Sequence, residues 1–439
     1  MKNNIYMKNR IKYLALLFLA LTMYYGCGKD AAPVLYDEYK GKGTPDPVVT
    51  SVAPKDFAYA GMDTLTITGA NFSDSAHTEV YFDNVPGTVI TATPTQIRVK
   101  VPNLPKEALA IRVVVTTASN YAAPVAYSLK EIQPAYFTKF LYLDQPQTLT
   151  FDRDGNLYLY LATNNVYQGI KKIDVNRNLT DYAPKGTEKL WTSLKFAYGP
   201  WGQQGQLFGA RRNKGIWKIN PGVAPTPAPY IGQGIDQNIN DFDFDPSGNI
   251  WAAGSGVNIF RIKPDMSAAT KYNFATTSSK INAVRVFKDN GTLYLYVGGT
   301  KDNKEGVWRY KIVNDEIVAG SEELYFDFSA AYPGLNAAGV PFSVLGITFS
   351  QDGYLYIGTD AAPVIVVVSP SKNASALLPG VIVPGFASFV WNSYDKVNGT
   401  SLVYSRVVND SETEKEFSPK IFSTLMFKQG APYYGLELK

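Results

Sequence analysis

A repeated pattern of two alternating strands around a glycine turn places the strongest limit on the fold of this chain. Four clear copies occur at residues 149–158, 242–251, 284–294 and 347–356. In each copy an alternating apolar and polar run reaches a short turn that contains glycine, and a second alternating run follows. A period of two residues is typical of strands that bury one face, and the turn is typical of antiparallel hairpins. The pattern therefore predicts antiparallel sheet throughout residues 131–439.

The spacing of the copies predicts how the sheets are arranged. A third strand follows each hairpin, and two weaker copies fill residues 194–219 and 389–425. The copies recur at roughly 40–50 residues, which is the repeat length of a β-propeller blade. Each sheet buries its faces against its neighbours around a central axis. We therefore predict a β-propeller of about six blades.

The repeats also carry a resemblance to a known family. The phrase Asp-x-x-Gly-Asn-Leu-Tyr at residues 152–158 resembles that of NHL-type and gluconolactonase-like six-bladed propellers. The resemblance covers most of residues 140–427. It implies a fold that hosts many functions, so it does not name an activity.

Residues 47–130 have a different pattern of short alternating strands separated by turn residues, which predicts a small β-sandwich. The segments 52–54, 65–72, 80–82 and 99–102 resemble an IPT/TIG immunoglobulin-like domain, and the Thr-Gly-x-Asn-Phe turn at 68–72 is its hallmark. The resemblance implies a spacer. The predicted fold class is therefore all-β, with an immunoglobulin-like sandwich followed by a propeller.

The N-terminus has the pattern of a lipoprotein signal. A basic lead with Lys8, Arg10 and Lys12 precedes an apolar stretch that is too short to span a bilayer, and Cys27 follows Gly26. We predict a signal peptide at 1–26, acylation of Cys27, and a flexible tether at 27–46 that is rich in Gly and Pro. The start is Met1 or Met7, and a simple secreted protein is the alternative. The expected location is the outer membrane, lipid-anchored and exposed at the cell surface.

Charge argues against a nucleic-acid partner. The formal net charge is +4, but residues 1–26 hold four basic and no acidic residues. Without them the chain is close to neutral, so it lacks the excess positive charge that drives phosphate binding. With Cys27 as its single cysteine, the fold has no disulfide to rely on.

The predicted propeller lacks imidazole and thiol groups. His77 is the only histidine of the chain and lies in the sandwich, where an exposed turn is expected. This excludes Ser-His and Cys nucleophiles in the propeller and His- or Cys-ligated zinc there. We expect no cofactor and no metal. Six acids, interpreted as residues of the turns between first and second strands, are Asp152, Asp154, Asp243, Asp245, Asp289 and Asp352.

The ligand face is expected on the other edge of the ring. There lie the loops between second and third strands and the starts of the blades, which are rich in amides and basic side chains. Such groups hydrogen-bond sugar hydroxyls, and an aromatic ring covers the apolar side of a sugar. The glycan-binding candidates are Asn164, Asn165, Tyr167, Arg211, Arg212, Lys214, Asp236, Asn238, Asn240, Asn282, Lys301 and Asp360, with Tyr198 and Trp201 as a second platform. The alternative is that these loops are polar because they are solvated.

Three functions are open at this point. The favoured one is a non-catalytic surface lipoprotein that binds glycan and passes it to a neighbouring outer-membrane importer. The order of anchor, tether, spacer and propeller resembles that of surface glycan-binding lipoproteins of polysaccharide degraders. The second is a carboxylate-dependent glycoside hydrolase or lyase, for which Asp236, Asp302, Glu305 and Asp360 are the acids available on the ligand face. The third is a protein-interaction scaffold of the cell envelope.

Overall fold

The structure is a computed structural model that describes residues 43–187, 190–226, 230–333, 342–382, 384–392, 400–407 and 420–439. The predicted signal peptide, Cys27 and most of the tether lie outside these residues. Within the described ranges, no helix is long and apolar enough to cross a membrane. The chain forms two compact units, the first of residues 43–58 and 63–130, and the second of residues 131–439 with Tyr59–Met62.

The first unit is a sandwich of two antiparallel sheets, in the spatial orders β1-β3-β7-β6 and β2-β9-β8-β4-β5. Its strands are β1 (Val48–Ala53), β2 (Ala58–Tyr59), β3 (Thr64–Ala70), β4 (Thr78–Phe82), β5 (Val85–Pro86), β6 (Thr88–Thr93), β7 (Gln96–Lys100), β8 (Lys106–Val115) and β9 (Val125–Lys130). His77 is exposed in a turn beside Asp74, as predicted.

Close packing and backbone conformation explain the residue types of the Thr-Gly-x-Asn-Phe turn. A Cβ on Gly69 would lie 1.9 Å from the carbonyl oxygen of Val48, so only glycine lets β1 pair closely with β3 here. Asn71 has a φ of 62°, a left-handed conformation that Asn tolerates better than most residues. Phe72 is buried in the sandwich core.

The second unit is a six-bladed propeller, which confirms the predicted fold class. Its strands are β10 (Ala135–Phe137); β11 (Asp144–Phe151), β12 (Leu157–Thr163), β13 (Val166–Ile173) and β14 (Leu179–Ala183) in blade I; β15 (Trp191–Ala197), β16 (Gln206–Arg211), β17 (Ile216–Ile219) and β18 (Tyr230–Ile231) in blade II; β19 (Asn238–Phe244), β20 (Ile250–Ser255), β21 (Asn258–Ile262) and β22 (Thr270–Asn273) in blade III; β23 (Ser279–Asp289), β24 (Thr292–Lys301), β25 (Lys304–Val313), β26 (Glu316–Ile317) and β27 (Glu323–Asp327) in blade IV; β28 (Val344–Phe349), β29 (Leu355–Thr359), β30 (Ile365–Val368) and β31 (Ala374–Ala376) in blade V; and β32 (Phe386–Asn392), β33 (Ser401–Arg406) and β34 (Ile421–Leu425) in blade VI.

The ring is closed by a strand from the start of the unit. β10 pairs with β34 and becomes the fourth, outermost strand of blade VI, with Phe137 opposite Ile421. Phe137 is buried together with Leu149 of blade I and Val403 of blade VI in one apolar cluster. Closure therefore combines main-chain hydrogen bonds with apolar burial.

The turns between first and second strands are held by buried aspartates. The carboxylate of Asp152 accepts hydrogen bonds from the N–H groups of Asp154 and Asn156, from the Asn156 amide and from the Tyr158 hydroxyl, at 2.8–3.0 Å. Asp245 repeats the arrangement with Ser247, Asn249 and Trp251. These contacts confirm the interpretation of both acids as turn residues. Asp243 differs, because it lies within β19 and pairs with Arg285 of β23.

The C-terminal segment, residues 429–439, joins all the blades. It includes the short helix Tyr434–Glu437. Each of the six apolar clusters between neighbouring blades contains or packs against one of its residues, namely Ala431, Tyr433, Tyr434, Leu436 or Leu438. The Arg153 guanidinium donates to the carbonyl oxygens of Leu436 and Leu438. The segment therefore acts as a hub for the ring.

Candidate functional site

The antiparallel order of each blade decides which loops share an end of the ring. The inner strands are β11, β15, β19, β23, β28 and β32. Each runs from what we call the upper end to the lower end, where the aspartate turns lead into the second strand. The second strand returns, so its connection to the third strand lies at the upper end with the start of the next blade. The C-terminal segment contacts the lower end, since Arg153 lies in the first such turn.

Every inner strand contains an irregularity near the upper end. At one position in each strand, an extra residue interrupts the pairing with the second strand. The residues at these bulges are Gln147–Thr148, Thr192, Asn240, Asn282, Leu345 and Ala387. A bulge takes a side chain out of the normal alternation and points it in a new direction. Six bulges at equivalent positions form a ring around the axis.

These bulge residues line a cavity at the upper mouth of the central channel. The axial cavity has a volume of about 350 Å³ and receives residues from all six inner strands. This volume lies in the range of about 300–1,000 Å³ that small-molecule sites occupy. Its described lining is Gln147, Thr148, Leu190, Trp191, Thr192, Arg212, Asn240, Asn282, Leu345, Ala387 and Val407.

Two wall residues carry oxygens that no described group satisfies. Thr148 and Asn240 are each 6% exposed, and neither Thr148 Oγ1 nor Asn240 Oδ1 has a hydrogen-bond partner among the described residues. The Asn240 amide is held in place because its Nδ2 donates to the carbonyl oxygen of Ile281 at 2.8 Å. Buried polar atoms are nearly always paired, since leaving one unpaired costs about 1–3 kcal/mol. The wall is therefore equipped to bond a polar ligand.

Arg212 gives the rim its charge. It is exposed in the connection from β16 to β17 and is the one ionisable side chain among the described lining residues. Asn282 lies on the wall of blade IV, and its Nδ2 donates to the carbonyl oxygen of Val344 in blade V at 2.9 Å. The amides thus connect neighbouring blades while they face the cavity.

A layer of buried charge lies further along the same inner strands. Arg285 pairs with Asp243 at 2.6 Å, both side chains being 1% exposed, and the guanidinium lies 3.7 Å from the ring centre of Tyr433. Lys195 of β15 and Asp241 of β19 lie in this region as well and interact electrostatically. Burial raises the pKa of Asp241, although the nearby Lys195 ammonium opposes the shift. This layer and the C-terminal segment lie beneath the axial cavity, and the Arg285 and Asp243 side chains are closed to water there.

Three of the predicted ligand residues meet at the axial cavity: Arg212, Asn240 and Asn282. The others lie elsewhere. Asn164 and Asn165 form the exposed turn between β12 and β13, and Asn238 and Lys214 are exposed outside the cavity lining. Lys301 pairs with Glu322, and the guanidinium of Arg211 lies 4.9 Å from the Trp217 ring centre.

The predicted aromatic platforms are buried. Tyr167 is 4% exposed and accepts a hydrogen bond from Trp191 Nε1 at 3.4 Å, and burial raises the pKa of Tyr167 to about 12. Tyr198 and Trp201 lie at the lower end, in and beside the turn Gly199–Trp201. The Trp201 Nε1 donates to the carbonyl oxygen of Gly248 at 2.7 Å, and Arg153 covers the Tyr198 ring at 3.9 Å. None of these three offers an open ring face, so the expectation of an aromatic platform is corrected.

The acids of the predicted ligand face all have structural partners. Asp236 pairs with Lys271 at 2.6 Å, and that ammonium lowers the pKa of Asp236. Asp302 accepts from the N–H groups of Thr276 and Thr277, and Asp360 accepts from that of Ser343. Glu305 accepts from the Thr300 hydroxyl and the N–H of Val344. Burial raises the pKa of Glu305. The four acids hold loops between blades and are not part of the described cavity lining.

Sequence reasoning missed Gln147, Thr148, Thr192, Leu345 and Ala387. The signal lies in the repeat itself, since all of them occupy the position that Asn240 and Asn282 hold in blades III and IV. An internal alignment of the six inner strands at this position would have found the whole ring. Within the ranges that the structure covers, no three His, Cys, Asp or Glu side chains are grouped to hold a metal ion.

Comparisons with known proteins agree with the architecture. Residues 47–128 match the IPT/TIG domain family, which confirms the resemblance of the sandwich. No curated protein matches the chain in sequence. A similar solved structure is a Bacteroides thetaiotaomicron protein with a provisional phosphatase name, at 13% identity and a TM-score of 0.51, covering 89% of this chain and 98% of that one.

Two further structures are less similar. An auxiliary nutrient binding protein from Bacteroides thetaiotaomicron has 12% identity and a TM-score of 0.44, covering 87% of this chain and 98% of its own. A luciferin-regenerating enzyme has 15% identity and a TM-score of 0.48, covering 68% and 97%. At such identities the likeness concerns the fold alone. The chain is thus an IPT/TIG domain followed by a six-bladed propeller with an axial cavity.

Proposed function

We propose that this protein is a non-catalytic, lipid-anchored protein of the outer-membrane surface that binds glycan in the axial cavity and passes it to an import system. The observation that carries the proposal is the ring of six bulges. It builds a cavity from amides, threonine hydroxyls and aliphatic side chains, with one guanidinium at the rim. Sugars need this combination, because they present several hydroxyls on apolar C–H faces.

Recognition follows from the two wall oxygens that have no hydrogen-bond partner among the described residues. A sugar hydroxyl donates to Asn240 Oδ1, and another exchanges a hydrogen bond with the Thr148 hydroxyl, so that two buried oxygens gain partners. Leu345, Ala387 and Leu190 lie against the C–H face, and Arg212 binds a hydroxyl or a carboxylate near the opening. Binding, rather than turnover, is favoured because the acids of this face are engaged in holding loops.

The anchor and the spacer complete the proposal. In this proposal Cys27 carries the lipid, the segment 27–46 is the tether, and the IPT/TIG domain is a spacer. Labelling of cells with radioactive palmitate tests the anchor, because the label is lost in Cys27→Ala and retained in Cys27 protein. Digestion of intact cells with an added protease tests surface exposure.

Calorimetry of the soluble form without residues 1–27 against a panel of polysaccharides tests the binding function, with product analysis alongside. We expect binding without released oligosaccharides, and a several-fold loss of affinity in Arg212→Ala. Lys214→Ala is the matched control, because Lys214 is exposed in the same connection but does not line the cavity. Released oligosaccharides would establish the hydrolase or lyase instead, and a panel without any binding would favour the envelope scaffold.

A further inference from the structure

The depth of the unpartnered oxygens limits how a glycan can reach them. Thr148 lies on blade I and Asn240 on blade III, and both are more than nine-tenths buried in the wall of the axial cavity. Only a group that enters along the axis reaches both. Below them Arg285 pairs with Asp243 and lies against the Tyr433 ring, and both charged side chains are 1% exposed, so not even water reaches them from the cavity. A chain that enters cannot leave on the other side.

The rim does not offer what an internal segment of a polysaccharide needs. Proteins that bind chains along their length present open aromatic faces, over which successive sugars stack. Trp191 is the aromatic residue of the described lining, and it is 1% exposed. Leu190 is the large apolar side chain at the described rim that is well exposed, at 62%. A flat contact along the chain would therefore be weak.

We propose that the axial cavity binds the terminal unit of a glycan chain end-on and does not bind internal segments. This inference rests on the proposed function and specifies its ligand. A cavity of about 350 Å³ is near the lower limit of small-molecule sites and holds about one or two sugar rings. The terminal ring enters, its hydroxyls meet Thr148 Oγ1 and Asn240 Oδ1, and the rest of the chain leaves through the upper mouth past Arg212.

The first test distinguishes binding to chain ends from binding to internal segments. The polysaccharide of the panel that binds is compared before and after partial acid hydrolysis, which multiplies the ends at constant mass. End-on binding predicts that the apparent affinity per unit mass rises in proportion to the number of ends, about tenfold for about ten times as many ends. Affinity that stays constant or falls per unit mass overturns the inference and leaves the proposed function intact. If no polysaccharide binds, the proposed function itself fails.

The second test uses two threonines of the inner strands. Thr148→Val removes a hydroxyl that lines the cavity, and Thr348→Val removes one that does not. Both hydroxyls lack a partner within the described part of the chain, and valine has nearly the same shape, so neither change should unfold the protein. We expect Thr148→Val to weaken binding of the polymer and its hydrolysate about five- to tenfold, and Thr348→Val to leave both unchanged. Equal affinities in the two variants would contradict the inference.

Discussion

At the scale of the residue, a buried acid can serve as the frame of a turn. Asp152 uses both carboxylate oxygens to accept from three donors of its own turn and from the Tyr158 hydroxyl of β12. The carboxylate lets the turn close without leaving N–H groups unpaired, and Gly155 supplies the left-handed conformation with a φ of 81°. Asp245 repeats the solution in blade III, so the motif belongs to the repeat.

Replacement of this carboxylate should destabilise the propeller. In Asp152→Asn, two acceptor oxygens become one, and the new amide N–H groups face the donors of Asn156 and Tyr158. We expect the free energy of unfolding to fall by about 1.5–3 kcal/mol, measured by thermal or urea denaturation. Asp154→Asn in the same turn is the control, because the Asp154 side chain is exposed, and its change should stay within about 0.5 kcal/mol. Equal losses in both variants would show that the carboxylate contacts are unimportant.

A second acid makes one loop of the upper end sensitive to pH. The N–H groups of Thr277 and Thr276 and the Thr277 hydroxyl hold the pKa of Asp302 well below its ordinary value. A lowered pKa means that the stabilisation is complete above the ordinary value of about 3.9 and is lost as the pH falls towards the folded-state pKa. We expect hydrogen exchange at residues 276–278 to lose protection when the pH is lowered from 5 to about 2.5, relative to the intrinsic exchange rates.

The matched variant for this loop is Asp302→Asn. It keeps the size of the side chain but has no carboxylate to titrate, so the protection of residues 276–278 should be lower at pH 5 and should not change on acidification. The same loss of protection with pH in the variant would assign the effect to another group.

At the scale of the element, the second strands carry small residues where the next blade packs. A Cβ on Gly358 of β29 would lie 2.0 Å from the ring of Phe386, the first residue of β32. A Cβ on Gly298 of β24 would lie 2.8 Å from Val344 of blade V, and one on Gly209 of β16 would lie 2.5 Å from Trp191 within blade II. These three glycines each make room for a large side chain beside them, which lets neighbouring strands and blades pack closely.

A methyl group placed in this space should destabilise the propeller, and a smaller neighbouring side chain should restore part of the lost stability. Gly358→Ala forces the Phe386 ring to move, and we expect a loss of about 1–3 kcal/mol in the free energy of unfolding. In Gly358→Ala with Phe386→Leu, the smaller side chain makes room for the methyl group, so the double variant should be more stable than the sum of the two single changes predicts. A double-mutant cycle from denaturation curves measures this difference. Simple additivity would contradict the contact.

The elements were largely predictable, and the site only in part. The hairpins and the number of blades follow from local alternation and glycine turns, which a single sequence displays. Asn240, Asn282 and Arg212 were found because they are polar residues at blade starts and loops. The bulge ring was not found, because one extra residue in a strand changes no composition. Tyr167 and Trp201 were misplaced because a large aromatic residue near a loop is compatible with either exposure or burial, and only packing between blades decides.

At the scale of the whole molecule, the C-terminal segment ties the six blade interfaces to one another. Its residues join clusters that otherwise share few members, so a loss at this hub is felt in several blades. This arrangement could not be predicted from sequence, because the contacts of the segment lie tens to hundreds of residues away in the chain.

The hub should respond strongly to a single truncation. Leu436 is 8% exposed between blades I and II, and we expect Leu436→Ala to lower the free energy of unfolding of the propeller by about 2–5 kcal/mol. Glu437→Ala on the same helix is the control, because Glu437 is exposed. Calorimetry should show a lower melting temperature of the propeller in the first variant and an unchanged one in the second. A small effect of Leu436→Ala would mean that the segment contributes little to the ring.

The strand that seals the ring also sets an order of events during biosynthesis. β10 is made before any blade, yet β34, the strand of blade VI with which it pairs, follows only at residues 421–425. Until then Tyr136 and Phe137 are an apolar, unpaired edge at the leading side of a growing chain, of the kind that invites wrong pairing. Nearly three hundred residues separate β10 from β34, and all of them must be made before β10 can pair. Closure of blade VI is therefore the last step in forming the ring, because it cannot precede the synthesis of residues 421–425.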